Sequence, residues 1–212
     1  MKFIDTNRIE RVLKRDKTVW TEIRDDKSAT LQCVMTVVAV ILLNVLASAL
    51  VSIIQSPSTA VQTIVGMLIA MVALIILGPI IVSIAVTLGA IIPHIIAKML
   101  GGKSSFIGYI KVLCYVFVLN AASAVFTLFN VIPVAGALIN TLLSLVLTIV
   151  SIWYTIIATR EAHELTTGKA ALAVLIPVAI AIIVVVVLVA IMGVALFSMY
   201  SASGAEGFPI TT

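Results

Sequence analysis

Charged side chains are scarce in this 212-residue chain: Lys, Arg, Asp and Glu make up 10% of it, whereas apolar residues make up 62%. A soluble domain normally carries about a quarter charged residues. A chain of this length offers no soluble core large enough to bury so much apolar surface. The deficit therefore excludes a soluble globular domain and predicts a protein whose apolar surface is covered by lipid.

Motifs for catalysis, metal binding and nucleotide binding are also missing. Gly101–Ser105 resembles the end of a phosphate-binding loop, but the upstream glycine and the preceding strand are absent. His94 and His163 stand 69 positions apart, and the residues around His163 do not form the HExxH pattern of a zinc site. No nucleophile–base pair is apparent. We therefore expect no enzymatic activity, no cofactor, no bound metal and no nucleic-acid partner.

Cysteine is nearly absent. Cys33 and Cys114 are far apart and show neither CxxC nor metal-ligand spacing. Free cysteine commonly packs as a small apolar side chain. We therefore expect both cysteines to be reduced, with each near the start of a membrane span, and we expect no disulfide framework.

Three long stretches contain no charged residue: Thr30 to Ala97, Val112 to Thr159, and Ala170 to Ala205. A spanning helix needs about 20 apolar residues, so the first two stretches each hold two spans and the third holds one. Polar turn clusters at residues 55–63 and 130–136 divide the two longer stretches. The predicted spans lie near residues 31–54, 64–97, 109–129, 135–158 and 171–199.

The thirteen Lys and Arg residues indicate the orientation. Eight precede span one, three lie between spans two and three, and two lie between spans four and five. With five spans these segments share one side, which the positive-inside rule makes cytoplasmic. We expect a multi-pass protein of the cell membrane (of the ER or Golgi membrane in a eukaryote), with its N-terminus cytoplasmic and its C-terminus outside. The predicted parts are a cytoplasmic amphipathic tail (1–29), a five-span membrane domain (30–200) and a short extracytoplasmic tail (201–212).

The N-terminal tail carries apolar residues at helical spacing with charges between them, at Ile9, Val12, Leu13, Val19 or Trp20, and Ile23. This pattern predicts an amphipathic helix that lies on the membrane or docks against the bundle. The eight basic residues of the tail are nearly balanced by six acidic ones, which indicates weak attraction to anionic lipid. The predicted fold class is all-α: an integral membrane five-helix bundle with an N-terminal amphipathic helix.

Polar residues within spans one, three and four recur every three or four positions, which places each set on one helical face. The predicted polar interface comprises Asn44, Ser48, Asn120, Ser123, Thr127, Asn140 and Ser144. Small and hydroxyl residues of this kind pack membrane helices and bond across them. The alternative is a polar conduit, although no ionisable residue lies at mid-bilayer depth as ion pathways usually require.

The second span is too long for a bilayer and contains Gly78-Pro79 near its middle. Proline removes a backbone donor and crowds the preceding turn, so we predict a helix kink at Gly78 and Pro79. Such a kink is usually a matter of packing, and in transporters a broken helix also marks a substrate site.

Several segments together resemble one family. They are Val19-Trp20-Thr-Glu-Ile23, the glycine-marked loop Gly101–Phe106, Tyr109–Tyr115, Ile132-Pro133-Val-Ala-Gly136, and Trp153–Ala170 followed by Pro177. The chain resembles the Yip (Ypt/Rab-interacting protein) family along nearly its whole length, and a prokaryotic-type member in particular. This resemblance implies a five-span bundle with a cytoplasmic N-terminus. Eukaryotic members bind Rab GTPases and serve vesicle traffic and membrane shaping. The short tail here lacks their Asp-Leu-Tyr-Gly-Pro type of motif.

The predicted function is a non-enzymatic scaffold that organises the membrane or binds a partner. It would contact the lipid bilayer and either a protein partner or a second copy of the chain. The predicted cytoplasmic partner surface comprises Trp20, Arg160, Glu161, His163, Glu164 and Lys169. The alternative function is a transporter or channel for ions or small solutes, which would use the kinked second span and the polar faces of spans one, three and four.

Overall fold

The computed structural model describes residues 4–204, with side chains described up to Ala195 and at Ser198. No strand occurs in these residues, and the predicted all-α class is confirmed. Short 3-10 turns lie at Pro57–Thr59, Val118–Asn120 and Phe129–Val131. The helices in chain order are α1 (Thr6–Leu13), α2 (Lys17–Asp25), α3 (Ala29–Gln55), α4 (Ala60–Met99), α5 (Phe106–Phe117), α6 (Ala121–Leu128), α7 (Ala135–His163) and α8 (Thr167–Gly204).

Five helical segments are long and apolar enough to cross a membrane, which confirms the predicted number. A helix suits this role because it satisfies its backbone hydrogen bonds internally, where lipid offers no partner. The observed ends lie within two helical turns of the predicted ones. The segments are Ala29–Gln55, Pro57–Met99, Phe106–Val131, Ala135–His163 and Thr167–Ala195.

The tail forms two short helices, because a capping residue interrupts its amphipathic pattern. Arg15 adopts a left-handed backbone conformation (φ 59°) after α1 ends. The Asp16 side chain then accepts a hydrogen bond from the Thr18 amide and begins α2. Asp5 caps α1 in the same way through the Arg8 amide. The turn at Arg15 lets the apolar faces of both helices lie against the same surface.

The helices of residues 4–174 pack around two large apolar clusters and a smaller one, in which Ile156 of α7 contacts Ala170 and Val174 of α8. In one large cluster α5 contacts α2 and α7, and in the other α3 contacts α4 and α5. The described part of α8 from Leu175 onward belongs to a separate compact unit, and its apolar side chains up to Ala195 are mostly exposed. Of the predicted outer tail (201–212), residues 201–204 belong to α8, and residues 205–212 lie outside the described residues.

Cys33 on α3 and Cys114 on α5 form a disulfide, with their Cα atoms 5.2 Å apart. The prediction that both cysteines are reduced is therefore wrong. Its basis was their spacing in sequence, and a separation of 81 residues carries no signal of contact. The packing of α3 on α5 brings the two side chains together, and this packing depends on the whole bundle.

Helix α4 runs through Pro79 and Pro93 as one helix of 40 residues, about 60 Å long. Gly78 is buried, and a Cβ added there would lie 2.9 Å from Leu74 Cδ1. The glycine thus makes room for a neighbouring leucine. The kink at Gly78 and Pro79 stays a prediction.

Candidate functional site: the tail-docked end and the polar faces

The two tail helices are docked on the ends of α5 and α7. The side chains of Val12, Val19, Trp20 and Ile23 are fully buried. They share one apolar cluster with residues of α5 and α7, among them Tyr109, Val112, Tyr115, Tyr154, Ile157, Ala158 and Ala162. We call the surface formed by residues 4–27, by residues 98–105 at the end of α4 and in the loop before α5, and by residues 160–169 the tail-docked end. Because the tail side chains are buried in this cluster, the tail is a folded part of the protein.

Arg8 is the polar centre of this docking. Its guanidinium contacts Asp26 at 2.7 Å and Glu22 at 3.0 Å, and it donates to Gln32 Oε1 on α3 at 3.0 Å. Burial alone would lower the pKa of Arg8, but hydrogen bonds to Asp26 and Glu22 raise it above its ordinary value. Arg8 therefore links α1 to α2 and to the residues that lead into α3.

A second arginine ties the two tail helices to each other. Arg11 contacts Asp16 at 2.8 Å and Glu22 at 2.6 Å. The hydrogen bond from Arg11, with those from Thr18, lowers the pKa of Asp16 to about 2. The hydrogen bond from Arg11 also lowers the pKa of Glu22 below its ordinary range.

These pKa shifts predict how the docked tail responds to acid. A carboxylate whose pKa is lowered by folding stabilises the fold above its unfolded pKa of about 4, and loses this effect as the pH falls through the folded value. We therefore expect tail docking to be constant from pH 7 to about 5 and to weaken between about pH 4 and 2. Fluorescence of Trp20 in a Trp153→Phe variant measures it.

The control for this titration is an Asp16→Asn/Glu22→Gln variant. Its tail should be less docked at neutral pH, and its Trp20 fluorescence should change less below pH 4. A transition of the wild-type protein near pH 6 would contradict the assignment, because carboxylates with lowered pKa values do not titrate there.

The tail also reaches the far end of α7. Arg24 donates to the Ala162 carbonyl at 3.0 Å and contacts Glu164 at 3.2 Å, and Lys103 contacts the other Glu164 oxygen at 3.0 Å. Glu164 has a left-handed backbone conformation (φ 57°), which ends α7 and turns its side chain into this group. Hydrogen bonds from Lys103 and Arg24 lower the pKa of Glu164. Arg24 and Lys103 were not predicted to belong to this group, because each lies far from Glu164 in sequence.

The residues predicted for the partner surface lie in different surroundings. Trp20 and His163 are 0% exposed, so in this structure neither presents its side chain at the surface. Arg160 pairs with its neighbour Glu161 at 2.5 Å, and Lys169 donates to the Leu100 carbonyl at 2.9 Å. Of these residues, Glu164 contacts two other segments, namely α2 through Arg24 and the α4–α5 loop through Lys103. Arg160 and Glu161 contact each other.

His163 lies against His94, with ring centroids 5.0 Å apart, and against Tyr109 at 4.9 Å. The Tyr109 hydroxyl lies 3.0 Å from Thr159 Oγ1. A Cβ added to Gly102 would lie 2.5 Å from His163 Nδ1, so a glycine is needed for the loop to pass the ring. The rings form a tight contact between α4, α5 and α7. Within residues 4–204 no group of three or more His, Cys, Asp or Glu could hold a metal ion.

The predicted polar interface divides into a closed part and an open part. In the closed part, Ser123 donates to Asn44 Oδ1 at 2.7 Å, and Asn44 donates to the Asn120 carbonyl at 3.3 Å. These bonds join α3 to the α5–α6 segment. In the open part, Ser48, Thr127 and Asn140 line a cavity of about 600 Å³ between α3, α6 and α7. Ser144 lies beside this cavity and donates to Asn140 at 3.4 Å.

Comparison with known proteins identifies the family. Residues 11–189 match the family described as the Yip1 domain. No curated protein and no solved structure matches the chain. The matched range contains the end of α1, all of α2 and most of the five apolar helices. The chain is an integral membrane protein that belongs to the Yip1 domain family.

Proposed function

We propose that this protein is a non-enzymatic membrane scaffold that binds an acidic protein partner at its tail-docked end. The observation that carries the proposal is the distribution of unpaired charge there. Within residues 4–204 every carboxylate lies within 4 Å of a basic group. Among these same residues, five exposed basic side chains have no such carboxylate: Arg15, Lys17, Lys27, Lys98 and Lys169.

The positive charge left after internal pairing favours an acidic partner. The tail as a whole has only a small net charge, but its acidic side chains are occupied by Arg8, Arg11, Lys14 and Arg24. Complementary charge steers association and selects the partner more than it sets affinity. The Yip family is generally non-enzymatic, which supports a role in binding.

Site-specific photo-crosslinking in the native host tests the proposal. A photoreactive residue at Thr166, exposed on the tail-docked end, should give a discrete adduct, and one at Ser58, on the α3–α4 turn, should not. A Lys98→Glu/Lys169→Glu variant should reduce the adduct by about tenfold or more, as expected for loss of at least about 1.4 kcal/mol. The control is the charge swap Glu10→Lys/Lys14→Glu, because it keeps opposite charges at the two positions and leaves the net charge of the surface unchanged. Equal adducts at both positions, or adducts insensitive to charge reversal, would rule the proposal out.

We propose that the tail-docked end faces the cytoplasm. Arg24, Lys103 and Lys169 cluster around Glu164 and the α4–α5 loop, which supports one basic side of the membrane. We expect cysteines introduced at Lys103 and Lys169 to react with an impermeant maleimide only after the membrane is opened. A cysteine at Ser58 should react in intact cells. The opposite labelling pattern would reverse the orientation.

The second candidate function, a transporter of small solutes, is favoured by the polar cavity between α3, α6 and α7. The hydrogen bonds of Asn44, Asn120 and Ser123 lie further from the α3–α4 turn than the cavity does. They join the helices there, which supports a binding site more than a continuous passage through the membrane. Liposome flux assays separate the two functions. Flux that a substitution of Asn140 abolishes would favour the transporter, and the absence of flux for a range of uncharged solutes would favour the scaffold.

A further inference from the structure

The cavity between α3, α6 and α7 is polar although the protein is mostly apolar. Ser48, Ser52 and Gln55 of α3 line one side of it, and Asn130, Asn140 and Thr141 line the other. Ser48 and Gln55 are seven residues apart on α3, so the polar wall is about 10 Å deep. Polar groups this far below a turn between spans need a hydrogen-bonding partner, because lipid supplies none.

Several of these polar groups have unused hydrogen-bonding capacity. In the described part of the chain, the side chains of Ser48 and Asn130 make no hydrogen bond to protein, and the Asn140 amide nitrogen donates none. Thr141 donates to the Ala137 carbonyl, which leaves its oxygen free to accept. The cavity therefore presents both donors and acceptors to whatever occupies it.

The lining also limits the charge and shape of an occupant. Among the described residues that line the cavity, none is charged, so an ionic headgroup would find no counter-charge there. Ile132 and Val134 add exposed apolar surface at the opening, 50% and 80% accessible. A volume of about 600 Å³ is within the range of small-molecule sites. Uncharged hydrogen-bonding groups beside apolar surface fit a sugar, whose hydroxyls lie at the edge of an apolar C–H face.

The turn that forms one wall is held in a defined shape. Val134 has φ 60° and ψ −61°, the conformation of a classic γ-turn, which is rare and strained for a β-branched residue. Gly136 lies two residues after Val134 and is buried. Its amide donates to the Ile132 carbonyl at 3.0 Å. Backbone strain of this kind persists only where the surrounding structure enforces it, and it is frequent at ligand sites.

We propose that this cavity binds one uncharged, hydroxyl-rich sugar group, either the headgroup of a glycolipid or a free sugar. The site lies between α3, α6 and α7 and does not include the tail-docked end, so it is independent of the proposed partner binding. Ser48 and Asn140 would hydrogen-bond the hydroxyls, and Val134 would cover the C–H face.

The test uses the full chain in phosphatidylcholine nanodiscs, which avoids detergents with sugar headgroups. One arm adds glucosyl diacylglycerol, a second adds free glucose, and a third adds phosphatidylglycerol as a charged lipid. Native mass spectrometry counts bound lipid, and thermal unfolding reports binding of free sugar. We expect one glycolipid per chain and no excess of phosphatidylglycerol. Binding of free glucose without binding of the glycolipid would also support the proposal and would identify the occupant as a free sugar.

The variants are Asn140→Leu, which keeps the volume, and the smaller change Ser48→Ala. Each should weaken binding by about threefold to tenfold, as expected for loss of one or two hydrogen bonds. Thr148→Val is the control: Thr148 is exposed on α7, donates to the Ser144 carbonyl and does not line the cavity. The proposal is overturned if neither sugar probe binds, if phosphatidylglycerol binds equally well, or if both variants bind like the wild type.

Discussion

Replacing Trp20 by alanine should release the tail from the bundle. Trp20 is 0% exposed and packs in the cluster that joins α2 to α5 and α7, so the substitution leaves a large cavity. Truncation of a buried tryptophan costs about 3–5 kcal/mol. The tail contains several Lys and Arg residues, so its release should appear as rapid trypsin cleavage within residues 8–24 of the reconstituted protein.

Two variants serve as controls for this experiment. Trp20→Phe retains most of the apolar volume, and the indole Nε1 makes no hydrogen bond in the structure, so the tail should stay resistant to trypsin. Leu13→Ala changes a side chain that is 44% exposed and should have a much smaller effect. Trypsin cleavage of wild-type protein as fast as that of Trp20→Ala would show that the tail is not docked.

Replacing Gly136 by alanine should destabilise the turn before α7. An ideal Cβ at this position would lie 1.8 Å from the Phe129 carbonyl oxygen and 2.7 Å from its carbon. These are backbone atoms, so no side-chain rotation relieves the overlap. Overpacking usually costs about 1–3 kcal/mol, and we expect about 3 kcal/mol or more here because the backbone must move. Thermal unfolding of the purified protein measures the effect.

The matched control is Gly89→Ala inside α4, where an added Cβ meets nothing within 4 Å. Alanine is favoured over glycine in a helix interior by roughly 0.5–1 kcal/mol, so this variant should be slightly more stable than the wild type. If Gly136→Ala leaves the unfolding temperature unchanged or raises it, the close approach of Gly136 to Phe129 is not present.

The sequence predicted the membrane spans well because lipid acts on each helix separately. A charged residue within a span is costly wherever the other helices are, so the stretches without charge from Thr30 to Ala97 and from Val112 to Thr159 indicate the helices directly. Turn residues such as Pro57 and Pro133 then divide them. These signals are local, and the structure places helices where they are found.

Contacts between distant segments could not be predicted in the same way. Cys33 meets Cys114, and His94 meets His163, because α3, α4, α5 and α7 pack in one arrangement. The apolar spacing of the tail is equally suited to lipid and to protein. The sequence therefore could not show whether the tail packs on the membrane or on the bundle. Helical spacing also placed Asn44 and Ser48 on one face without showing that the first is hydrogen-bonded and the second lines a cavity.

Amide hydrogen exchange of the tail in lipid nanodiscs tests the central claim most directly, namely that the tail and the ends of α5 and α7 form one folded unit. We predict that amides of residues 17–25 exchange about a hundredfold or more slowly than an unfolded peptide, which corresponds to a docking free energy of about 2.7 kcal/mol or more. An Arg8→Gln variant, which loses the contacts to Glu22 and Asp26, should exchange faster. Exchange of the wild-type tail at the unfolded rate would contradict the account.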